Sequence, residues 1–163
     1  MTASTNPVTV VPRDPSPSDA PGASRYDPPV QDDAGRPMSD GNDGVIRLQI
    51  PALARYLRLA RLTAAGMAGD LGFNLDALED LRVAVDELCA AIIDGTPAGA
   101  ELELTYRELD GGLVIEGRCV ALTENPPVLH LVARELLTIL ADEYSIDATG
   151  RDRSFRLVKL GVS

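Results

Sequence analysis

The chain has 163 residues, enough for one domain with a proper core, and a formal net charge of −10. That acidity argues against a face that binds a phosphate backbone, and no apolar run approaches the roughly 18 residues of a membrane span. No signal-peptide h-region follows the N-terminus, so the expectation is a cytoplasmic protein with neither nucleic acid nor membrane as partner.

Residues 1–44 hold eight of the twelve prolines, three Arg against seven Asp, and no Leu, Ile or Phe. Such a segment cannot bury enough apolar area to offset its ordering entropy, and it reads as a disordered tail, passive or regulatory. The ordered domain is expected over 45–163. Ile46, Leu48 and Ile50 alternate with Arg47 and Gln49, the pattern of a short half-buried strand that Pro51 ends. A helix from Ala52 to about Leu71 should bury Leu53, Leu57, Ala60, Ala64 and Met67/Ala68. Its other side carries Arg55, Arg58 and Arg61, a basic stripe that fits either a solvated face or a docking face for an acidic partner.

Gly72 and Asn74 break that helix, and Asp76 with Glu79 suits a cap for the next. In the following helix Leu78, Leu81, Val85, Leu88 and Ile92 recur at intervals of three and four, which marks one buried face. A separate stripe runs Asp80, Val83/Ala84, Glu87 and Ala91, so Glu87 precedes a chemically blank Ala91 by one turn. Leu102, Leu104 and Tyr106 alternate with charged and polar residues. Asp110-Gly111-Gly112 supplies a positive-φ turn, and Leu113, Ile115, Gly117 and Cys119 line one side of the return strand.

After a Pro-containing loop, a helix from Val128 to about Ala141 should turn Leu129, Val132/Ala133, Leu136/Leu137 and Leu140 inward. His130 falls off that stripe, as a surface histidine does. Strands near Tyr144–Ala148 and Ser154–Leu160 finish the chain. Cys89 and Cys119 read as buried free thiols, and one histidine without a Cys/His spacing pattern gives a zinc site no support. Strand, helix, helix, hairpin, helix, hairpin makes an α+β two-layer sandwich, a mixed sheet with its helices on one face.

This order, with Asp80-Leu81-Arg82-Val83-Ala84-Val85-Asp86-Glu87-Leu88-Cys89 in the second helix and Ala141-Asp142-Glu143 after the third, resembles the RsbW/SpoIIAB-type anti-sigma factors. These are GHKL (Bergerat-fold) ATPases of the serine-protein-kinase branch, and within them the run is most like the divergent UsfX-like group. Members that phosphorylate use a glutamate as general base and an asparagine four residues later as Mg²⁺ ligand. They add an Asp-x-Gly-x-Gly loop that reads adenine and a flexible lid.

The resemblance places the glutamate at Glu87 and the nucleotide box at Asp86, Glu87 and Ala91. Ala91 offers no ligand atom, and Val120-Ala121-Leu122-Thr123-Glu124-Asn125 contains no such glycine loop. Phosphoryl transfer rests on positioning and Mg²⁺ electrostatics, so these losses remove parts of the machinery. The expectation is therefore a degenerate nucleotide site, with ATP and Mg²⁺ as cofactors only if the site still works. By resemblance the chain sequesters an alternative sigma factor, is relieved by a STAS-domain anti-anti-sigma partner, and forms a homodimer. The first helix, with Arg55, Arg58 and Arg61, would be the docking face. The alternative is an active serine/threonine kinase that phosphorylates its STAS partner with Glu87 as base.

Overall fold

The computed structural model describes residues 44–161; the tail expected over 1–44 lies, except for Gly44, outside the described residues. In chain order the elements are β1 (Val45–Pro51), a 3-10 turn (Ala54–Tyr56), α1 (Leu57–Asp70), α2 (Leu75–Ile93), β2 (Glu101–Leu109) and β3 (Gly112–Val120). Then come α3 (Leu131–Leu140), β4 (Glu143–Thr149) and β5 (Asp152–Leu160). The five strands form one sheet in the order β1-β2-β3-β5-β4.

Every neighbouring pair in that sheet is antiparallel, which corrects the mixed sheet expected from the element order. The reason is the placement of β5. β4 runs in the same direction as β3, but β5 slots between them and pairs antiparallel with both, so no parallel pair arises.

The β2–β3 hairpin closes where expected, with Asp110 and Gly111 at φ of 50° and 76°. Two successive positive-φ residues give a turn whose twist matches the flanking strands. On the helix-facing side, Leu102, Leu104 and Tyr106 of β2, Leu113, Ile115 and Cys119 of β3, and Phe155 and Leu157 of β5 join the core. The opposite side is polar and cross-paired, through Arg107–Glu116 at 3.6 Å, Arg118–Asp152 at 2.8 Å and Arg156–Glu143 at 3.1 Å.

α2 is the centre of the helical layer, touching α1, α3, β3 and β5. It buries Leu81, Val85, Leu88 and Ile92 as its periodicity predicts, leaves Leu78 half-buried, and adds Ala77, Ala84, Cys89 and Ala91. The small side chains let α1 approach closely, because α1 contributes Ala60, Ala64 and Ala68 to the same layer.

Three local expectations shift. Leu53 is exposed rather than buried, because the chain makes the 3-10 turn before α1 begins and Ala52 enters the core instead. The cap of α2 is Asn74, whose side-chain oxygen accepts the Ala77 amide at 2.8 Å; the Asp76/Glu79 box is not used. α3 starts at Leu131 rather than Val128 and buries Ala133 and Leu137, while Val132 faces outward and Leu136 and Leu140 are half-buried.

Candidate functional site

Two concave sites flank α2. The first is a cleft of about 290 Å³ between the C-terminal half of α2 and the segment entering α3, lined by Glu87, Ala90, Ala91, Asp94, Val128, Leu129, His130 and Ala133. Small-molecule sites span roughly 300–1,000 Å³, so this cleft falls just below the size of a typical ligand site. The 100° step between successive helical residues turns Glu87 into the cleft, and four residues on, one turn further, Ala91 presents only a methyl group there. Leu129 is buried and His130 sits exposed at the N-terminal cap position of α3, making no side-chain capping bond.

The second site is a groove of about 370 Å³ between α1 and α2, lined by Arg58, Arg61, Leu62, Glu79, Arg82, Val83 and Asp86. Here Asp86 accepts a hydrogen bond and ion pair from Arg61, and Glu79 pairs with Arg82 at 2.6 Å. The structure thus separates Asp86 from Glu87. Asp86 of the expected nucleotide box faces α1 and its arginine, while Glu87 and Ala91 share the cleft. The arginine stripe divides too. Arg61 is engaged by Asp86, Arg55 lies over the Tyr56 ring at 4.9 Å, and Arg58 is exposed on the groove wall. Leu62 and Val83 stand exposed between these charges, giving the groove an apolar floor that sequence reading did not single out.

Four polar side chains on the helix-facing side of the sheet tie the layers together. Tyr106 donates its hydroxyl to the Ala60 carbonyl at 3.1 Å, and Cys119 donates its thiol to the Ile92 carbonyl at 2.8 Å. Lys159 reaches the Leu140 carbonyl at 2.7 Å and Asp80 at 3.2 Å. Arg153, only 5 % exposed, donates to the carbonyls of Asp94 and Asn125. Extending the alternation of β5 in both directions from Phe155 and Leu157 puts Arg153 and Lys159 on the inward register, and that was the available signal for both.

Burial shapes the thiols. It pushes Cys119 from 9.0 up to about 11, with the Arg153 charge pulling the other way. Burial, reinforced by Asp86, pushes Cys89 further above the usual thiol range. Thiols held protonated in this way are poor nucleophiles and poor redox sensors. Among the described residues no group of three or more His, Cys, Asp or Glu is placed to hold a metal ion, and no helix is long and apolar enough to cross a membrane.

No family model matches the chain. Over 48 residues it is 44% identical to proteins named serine-protein kinase RsbW from Bacillus thuringiensis (strain Al Hakam) and Bacillus mycoides (strain KBAB4). The matched stretch is 29% of this chain and spans only 30% of the length of those relatives. Among solved structures, one of the RsbU and RsbW domains of a Mycobacterium tuberculosis protein superposes with a TM-score of 0.55 at 14% identity. That superposition covers 71% of this chain and 32% of the other. The shared fold is the two-layer arrangement described above.

Proposed function

We propose that this chain, an RsbW-type protein, is an anti-sigma factor that captures an alternative sigma factor by surface complementarity and is released by a STAS-domain anti-anti-sigma partner, without phosphorylating it. The observation that carries the reading is Ala91. It stands in the cleft one turn after Glu87, where the resemblance places a Mg²⁺ ligand, and offers a methyl group instead. The neighbouring walls of Val128, Leu129 and Ala133 are apolar, and the segment from Ala121 to His130 contains no glycine that would let backbone approach a phosphate. The residues present do not fit a Mg²⁺–nucleotide pair held in the manner the family resemblance implies.

Partner binding is assigned to the α1–α2 groove and the adjoining stripe, with Arg58, Arg61 and Arg55 as its charged part. Homodimerisation is proposed on the resemblance alone. A second reading, an active kinase, is favoured by one observation: Glu87 does face the cleft, as a general base would have to.

Affinity capture of the tagged full chain from its host, with and without Mg²⁺-ATP, separates the two. A sigma factor recovered equally in both samples supports a nucleotide-independent anti-sigma factor. Labelled phosphate transferred to a STAS protein and lost in Glu87→Gln would establish the kinase instead.

A further inference from the structure

Arg153 is a charged side chain in the helix-facing layer for which the geometry gives no carboxylate partner among the described residues. Its two terminal nitrogens donate to the backbone carbonyls of Asp94 and Asn125, and its Nε hydrogen has no acceptor among the described residues. Burying a guanidinium without a counter-charge is costly, and the carbonyls it meets explain what that cost secures. Asp94 ends α2 and lines the Glu87 cleft on one side. Asn125 belongs to the segment that runs through Val128, Leu129 and His130, which line the other side.

The two walls also meet through the packing of Leu129, Ala133 and Leu137 with α2, and near the root of that segment the Leu122 amide donates to the Gly95 carbonyl at 3.0 Å. We infer that Arg153 is an internal strap: its planar fork bonds both walls at once and fixes the width of the Glu87 cleft from within the protein, so that no bound molecule is needed to hold it. The fork geometry matters, because a guanidinium can address two divergent acceptors in fixed directions while an ammonium is a compact point donor. This inference rests on the bonding of Arg153 and stands apart from the anti-sigma reading.

The test uses the full chain and amide hydrogen exchange, with no partner or nucleotide present. The reporters are one amide on each wall. Thr96 donates to the Ile93 carbonyl at 3.2 Å at the end of α2, and Arg134 donates to the His130 carbonyl at 3.0 Å in the first turn of α3. In Arg153→Met, both amides are expected to exchange at least ~10-fold faster, while amides in the β2–β3 ladder keep their parent rates, as local opening requires. Arg153→Lys keeps the charge and carries the test should the Met variant fail to fold; it is expected to accelerate the same two amides, because it cannot bridge both carbonyls. Parent rates at Thr96 and Arg134 in the Lys variant would overturn the strap. So would acceleration spread evenly over β2 and β3, which would make Arg153 a general stabiliser.

Discussion

Gly117 offers the most direct test of how the sheet floor is packed. It pairs with Phe155 across the β3–β5 ladder, and the Phe155 ring lies over it on the core side. A Cβ added at Gly117 would come within 3 Å of three ring carbons, meeting Cζ at 2.7 Å and Cδ1 at 2.9 Å as well as Cε1. Optimal carbon–carbon separation is about 3.5–4.0 Å, so ring or strand must move by roughly 1 Å. Phe155 is 2% exposed and has no solvent to swing into.

Overpacking of this kind costs about 1–3 kcal/mol, and replacing glycine in a strand returns about 0.5–1 kcal/mol. Gly117→Ala should therefore destabilise by about 1–2 kcal/mol, lowering Tm by several degrees for a domain of this size. Urea unfolding of Gly117→Ala, Phe155→Leu and the double variant measures the coupling. With the ring removed, the alanine should become neutral or stabilising, giving an interaction energy of about 1–3 kcal/mol. A loss that persists unchanged in the Phe155→Leu background would refute ring overlap as its cause.

Charge reversal at Arg58, exposed on the groove wall, should weaken the proposed sigma-factor capture about ten-fold or more while leaving Tm within about 3 °C, since surface substitutions usually change stability by no more than ~0.5 kcal/mol. Unchanged affinity by titration calorimetry would remove it from the interface. Arg61→Glu is the poorer probe, because it also opposes Asp86. Asn74→Ala should cost about 1 kcal/mol in thermal or urea unfolding and exceed the cost of Asp76→Ala; the reverse order would return the cap to Asp76. Cys119 is raised from 9.0 to about 11 in the folded chain. Its contribution to stability is thus fully present below about pH 9 and is lost as pH rises toward 11, each pH unit in that window removing about 1.4 kcal/mol at most. Urea midpoints measured between pH 8 and 11 should fall for the parent and fall less steeply for Cys119→Ala; identical slopes would show that this thiol is not the group responsible.

The hairpin turn at Asp110-Gly111 and the buried stripe of α2 were legible in the chain itself, because each is a local matter of φ preference or of a 3.6-residue repeat. The strand alternation and the blank at Ala91 were legible for the same reason. Periodicity says which residues share a face. It does not say what stands opposite, and there the tertiary structure decided. Val132 and Ala133 are equally apolar neighbours on α3, yet only Ala133 meets α2's side of the core. Asp86 and Glu87 are adjacent carboxylates, and α1 on one side and the α3 segment on the other send them to different sites. The position of β5 between β3 and β4 follows from pairing among segments distant in sequence, and it alone makes the sheet antiparallel throughout. Arg153 is one of three basic residues in the sequence of β5, with Arg156 and Lys159. It becomes a bridge between two walls only because that inner strand carries it beneath the end of α2 and the segment leading to α3.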